Sequence, residues 1–499
     1  MAALNNNFDS TFKLNINYNT LVSETKDLLK NMSAHSAKVQ LIKRGYEEDK
    51  VESAIHQTLK TSKFTRVKNS SIVLFKDFFD KVGYGFSSPL LLYVLLYTIN
   101  APLILFGIIA ALKSFLTLFT SSLIKKYKQK YSIKRKNIAT FGTIFGLIFL
   151  LIAAAKSLNS TMLFAFGILL SSVFVVIHGD LYSDYVIKKL SSARSTITAK
   201  AISYFGLIIT AIAFVIAGAM LDYSAITINL GITVFTIPGY LLQLEIVAFA
   251  FILSSYAFSF VKPDLEMAKD NFLKKKETGF LTTYFQELKK DLSNFWKNKD
   301  IRTIFYGALF SGSFQTVVAT FSGIYLFESV RNTVNNPFFH ISLIFGIGII
   351  AAAIGPGIAR SFAKIFGQTP MLIFGVFLIA IFPLSIFFNV SYYALIIAHG
   401  ISVIGASILS IVQSFILHNT LNEEEKKTYF SAITPMIAVI MPILIMLMTA
   451  VIFIFSFKQL FLVITVLILV LVVPFYFRLV IKAHKKHAKG MFGNSLFDN

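Results

Sequence analysis

The strongest constraint on this chain is a series of long apolar blocks, each about 18 to 25 residues and nearly free of charge, running from Ser71 towards the C-terminus. At 1.5 Å rise per residue, roughly 20 apolar residues cross the ~30 Å hydrocarbon core of a bilayer as a helix. Helices are the form such blocks must take, because hydrocarbon offers backbone amides and carbonyls no other partner. Composition agrees: mean hydropathy is +0.69 and only 14% of residues are charged, against the roughly 25% with which a soluble domain covers its surface. A soluble fold and a disordered chain are therefore excluded. With no cysteine in the chain, disulfide scaffolds and thiolate chemistry are excluded as well.

The blocks predict an all-α polytopic membrane protein with twelve transmembrane helices, at 73–96, 102–122, 138–156, 161–186, 201–221, 238–260, 302–327, 339–360, 369–388, 391–417, 429–455 and 459–480. Lys and Arg concentrate in alternate loops, and the positive-inside rule then puts both termini in the cytoplasm. The formal net charge of +22 is thus topological, with anionic lipid headgroups as counter-charge and no nucleic acid implied. The longest internal loop divides the spans into two six-helix halves, 71–262 and 301–484. Around them the sequence predicts a helical cytoplasmic extension (1–70), a central cytoplasmic loop (263–300) and a basic tail (485–499). In the central loop Leu281, Tyr284, Phe285, Leu288, Leu292 and Phe295 recur at amphipathic helical spacing. Residues 222–238 alternate about Gly231 and predict a short hairpin.

Twelve spans, inward termini, two halves and a long charged central loop resemble the major facilitator superfamily of transporters. In the second half, Gly357-Ile-Ala-Arg360-Ser-Phe-Ala-Lys364-Ile-Phe-Gly367 is similar to the family's loop between its second and third helices, without the acidic position. Lys125 and Lys126 keep the basic cluster of that loop in the first half, where its glycines are missing. Arg194 follows Asp180 and Asp184 after the fourth span, as an Arg does in the family. The resemblance implies two bundles rocking about a central site. It implies gating roles for Gly357, Arg360, Lys364, Gly367, Lys125, Lys126 and Arg194, and no enzymatic activity.

Ionisable residues within membrane helices are costly, so they face partners or cavities. The candidates for proton coupling are Glu245, Asp180, Asp184, Asp77, Asp80 and His178, the last beside a pair of acids one helical turn apart. Lys113, Gln315, His399 and Gln413 are polar groups in apolar spans and are candidates for a substrate cavity. The histidines lack metal-ligand spacing and no phosphate loop is present, so neither metal, cofactor nor ATP is expected. The expected function is secondary active transport of a small organic solute by a monomer in the plasma membrane, coupled to protons. Export is favoured over uptake because sugar-porter motifs are missing. Two alternatives stay open: a peptide or nutrient uptake transporter, to whose acidic-basic motif Asp77-x-x-Asp80-Lys81 is similar, and a lipid-linked oligosaccharide flippase.

Overall fold

A computed structural model describes residues 18–29, 33–44, 46–130, 134–189, 196–229, 234–261, 299–420 and 423–488. The chain opens with α1 (Tyr18–Leu28) and α2 (Ala34–Lys43), which fold onto the start of α3 (Glu48–Phe86). Leu21, Leu41, Val51, Ala54 and Ile55 bury one another in a small apolar cluster. α3 has 39 residues, about 58 Å of continuous helix. It passes position 70 without a break, so the expected extension and the first expected span share one helix.

That first span is split. Ser87-Ser88 precede Pro89, whose ring disfavours helix at the preceding residue, and α4 (Pro89–Tyr97) resumes with Pro in its first turn. The first half continues as α5 (Leu103–Lys130), α6 (Arg135–Ser157), α7 (Thr161–Lys189) and α8 (Thr196–Leu221). An antiparallel hairpin follows, β1 (Ile226–Asn229) with β2 (Val234–Ile237), Ile226 opposite Ile237 and Asn229 opposite Val234. α9 (Gly239–Phe258) closes this half. The amphipathic segment expected in the central loop and Gly231 lie outside the described residues.

The second half comprises α10 (Lys299–Val330), α11 (Pro337–Ala351), α12 (Gly355–Phe366), α13 (Gln368–Phe387), α14 (Tyr392–Thr420), α15 (Glu423–Ile454), α16 (Phe457–Leu467) and α17 (Val473–Ala488). α11 and α12 are one expected span bent by 45°, where Gly355-Pro356 interrupts the hydrogen-bond ladder. α16 and α17 join through a π-helical turn, Ile468–Val472. Among the described residues, nine helices are long and apolar enough to cross a membrane, or ten if the bent pair counts as one.

Two helix ends are built alike. α6 and α13 both stop at an asparagine in the left-handed region, Asn159 (φ 51°) and Asn389 (φ 52°). Each places the next amide on a carbonyl five residues back, Ser160 on Ala155 and Val390 on Ser385. This is the Schellman cap, whose left-handed position asparagine tolerates better than other non-glycine residues. Large apolar side chains point outward all round the bundle, among them Phe166, Phe249, Phe377 and Val470. Water would penalise that surface and hydrocarbon does not.

Candidate functional site

Between the two halves lies a cavity of about 610 Å³, walled by α4 and α5 on one side and by α10, α11, α13, α14 and α15 on the other. Its lining includes Lys113, Gln315 and His399, three of the four polar residues singled out in the sequence. The lysine amine stands 5.7 Å from the ring centroid of Tyr93. The His399 ring is wedged between Phe345 and Phe382, with centroids 4.5 Å from each. Gly348 makes that position possible, since a Cβ there would come within 2.4 Å of His399 Nε2. Serines and threonines, Ser114, Thr117, Thr316, Thr320 and Ser402 among them, add to the polar part, and among the described residues no Asp or Glu lines the wall.

Gln413 is elsewhere. Its amide donates to the Tyr476 hydroxyl and ties α14 to α17, outside the wall of this cavity. Glu245, a proton-coupling candidate, is exposed on α9, on the same outward stripe as Phe249 and Tyr256, and is not in the cavity wall.

A second polar centre lies within the first half. Lys76 is fully buried on α3, its amine 2.6 Å from Asp80 Oδ2 and 2.9 Å from His178 Nε2 on α7. Ser254 of α9 donates to Asp80 Oδ1 at 2.6 Å. The amine also sits 4.5 Å over the Tyr182 ring, and the Tyr182 hydroxyl donates to Asp77 at 2.6 Å. Helix α6 reaches this cluster only because position 142 is glycine: a Cβ would stand 2.0 Å from Ser255 Oγ and 2.8 Å from His178 Nε2. Asp180, by contrast, accepts from Ser121 of α5 at 3.2 Å, and Asp184 is half-buried one turn further along α7. The sequence reading selects Asp77, Asp80 and His178 and pairs Lys76 with Asp80 as an interfacial i,i+4 salt bridge, but it misses Ser254 and Gly142.

Contacts between the halves close the face that carries the hairpin. Both carboxylate oxygens of Asp222, after α8, accept amides at the start of α11, from Phe338 (2.9 Å) and Phe339 (2.8 Å). This satisfies two of the orphan donors at a helix N-terminus. Burial raises the Asp222 carboxyl above its ordinary range, against the opposite pull of the two amides. Nearby, the Tyr97 hydroxyl donates to Glu328 at 2.8 Å, which also pairs with Arg331 at 2.7 Å.

Of the expected gating residues, Arg360 and Lys364 are exposed on α12. Gly367, at φ 85°, makes the turn from α12 to α13. Gly357 has open space where a Cβ would stand, and the close helix approach belongs to Gly355, whose Cβ would lie 2.4 Å from Ser407 Cβ. The side chains of Lys125 and Lys126, and the whole of Arg194, lie outside the described residues.

No family model matches the sequence, and no curated protein matches it. Solved structures do match. A point variant of the nucleoside transporter NupG superposes with a TM-score of 0.63 at 13% identity, covering 82% of this chain and 98% of its own. A bacterial homologue of the iron transporter ferroportin, in an inward-facing state, gives 0.55 at 11% identity, covering 83% and 98%. A bacterial metal transporter gives 0.53 at 12% identity, covering 82% and 97%. The chain therefore shares the fold of these solved transporters, the nucleoside transporter NupG and the bacterial homologue of ferroportin among them.

Proposed function

We propose that the chain is a secondary active transporter that carries a small organic solute through the central cavity by alternating access, driven by protons. The observation that carries this reading is the cavity itself, a chamber of about 610 Å³ between the two halves. Its volume lies within the roughly 300–1,000 Å³ usual for small-molecule sites. Beside the close packing of Gly218 on Ser342 of α11, the hairpin face is held by polar contacts, Asp222 with α11 and Tyr97 with Glu328. Such contacts exchange for water at modest cost, which suits a gate that opens and closes.

The full reading has twelve spans, both termini cytoplasmic, and a monomer in the plasma membrane. The buried cluster of Lys76, Asp80 and His178 supports protons as the coupling ion, because its groups change charge and link α3 to α7 and α9. Export is favoured, because the sequence lacks sugar-porter motifs. A metal-ion substrate has less support: among the described residues no three of His, Cys, Asp and Glu come together.

The test is reconstitution of the purified chain in liposomes, with pH-gradient-driven movement of a broad solute panel compared between wild type and Asp80→Asn. Gradient-dependent accumulation that the variant loses, while it retains solute exchange, supports the proposal. Passage of labelled lipid-linked sugars with no solute movement replaces it with the flippase.

A further inference from the structure

Resting on that reading, we propose that the solute is an organic monoanion, an apolar or aromatic body with one negative charge that pairs with Lys113. Lys76 and Lys113, both within the helices of the first half, differ in their partners. Lys76 is neutralised by Asp80 at 2.6 Å. Lys113 has, among the described residues, no carboxylate within ion-pair distance, and its amine stands 5.7 Å from the ring centroid of Tyr93. It stands ten residues into α5, which begins at Leu103, about 15 Å along the helix axis. That is beyond the reach of a lysine side chain to the hairpin-side interface, so snorkelling does not account for it. Lys113 is half-buried and faces a largely apolar chamber that, among the described residues, is lined by one lysine and by no acid, where a charge is best met by a counter-charge.

The charge count selects the ligand class. A neutral solute would leave the lysine without a counter-charge, a cation would be repelled, and a dianion would bring one charge too many. The rest of the wall fits an apolar body, with Tyr93, Phe345, Phe382 and Ile379 around it. His399 is a further polar side chain in the wall, and among the described residues its buried Nδ1 has no hydrogen-bond partner.

The experiment measures binding to the purified full chain by thermal unfolding, using matched probes. The anions benzoate, benzenesulfonate and hexanoate are set against benzamide, benzenesulfonamide and hexanamide, with benzylammonium as the cation. We expect at least one anion to bind tenfold or more tightly than its own amide, and benzylammonium to bind no better than benzamide. Lys113→Gln should erase the preference and Lys113→Arg should keep it. Without ligand, Lys113→Gln should unfold no lower than wild type, since it removes an uncompensated charge. The proposal is overturned if no anion exceeds its amide, or if the preference survives in Lys113→Gln. Counterflow of the same labelled probes in proteoliposomes separates the two readings. Anion binding without exchange of any probe defeats transport and leaves the anion site standing. Exchange of the amides without anion preference defeats the anion site and leaves transport standing.

Discussion

Replacing Lys76 by methionine isolates the energetics of the buried charge cluster. The lysine has no exposed surface, and its amine lies 2.6 Å from Asp80 and 2.9 Å from His178. At an effective dielectric of about 20, the Asp80 contact corresponds to about 6 kcal/mol of gross attraction. Most of this is offset by the desolvation of two ions. Methionine fills much the same volume but leaves Asp80 with the Ser254 hydroxyl as its named remaining partner. Losing one member of a buried pair costs about 3–5 kcal/mol, whereas replacing both by apolar residues is neutral or even stabilising. Lys76→Met and Asp80→Leu should therefore each destabilise the protein by about 3–5 kcal/mol, and the double variant by less than either. The assay is reversible unfolding of all four proteins in mixed micelles, read as a double-mutant cycle. Single losses below about 1 kcal/mol, or additive losses in the double variant, would refute the reasoning.

Three further outcomes are expected. Ala at Gly142 places a Cβ 2.0 Å from Ser255 Oγ and 2.8 Å from His178 Nε2, so Gly142→Ala should cost about 1–3 kcal/mol in unfolding and reduce pH-gradient coupling more than solute exchange. Gln413→Leu removes one hydrogen bond from the buried Tyr476 hydroxyl, which keeps Ser311, at a cost of about 0.5–1.5 kcal/mol, yet solute affinity should be unchanged, because Gln413 is not in the cavity wall. For Asp222 the sign follows from its raised carboxyl in the closed hairpin face: closure is favoured below the ordinary carboxylate range and loses that support as pH rises through the raised value. Distances between spin labels on α8 and α11 should therefore shorten on acidification in wild type and become pH-independent in Asp222→Asn.

Much of the helical layout was legible because hydrocarbon imposes both length and apolarity on each span. Lys113, Gln315 and His399 stood out by the same logic, as polar interruptions of apolar blocks, and they meet at one cavity. Gln413 gave an identical signal with a different outcome, since its partner Tyr476 lies 63 residues away and local pattern does not reveal it. Lys76 and Asp80 read as an ordinary interfacial i,i+4 pair. They are buried because α7 and α9 cover them, through His178 and Ser254, 102 and 174 positions along the chain. Glu245 was readable in hindsight: it shares a helical stripe with Phe249 and Tyr256, and all three are exposed. The split of the first span at Ser88-Pro89 was also present in the residues, but a proline within a membrane helix does not by itself specify a break.

Alternating access is the central claim, and the absence of cysteine makes it directly measurable. Spin labels on Ser224→Cys and Asn335→Cys report the hairpin face, and labels on Tyr127→Cys and Phe366→Cys report the opposite face, all four being exposed positions. Pulsed dipolar distances in liposomes should show two populations for each pair. Every change of pH or added solute that lengthens one distance should shorten the other. A single fixed distance at both faces from pH 5 to pH 8 and across the solute panel, or two faces that open together, would contradict the account.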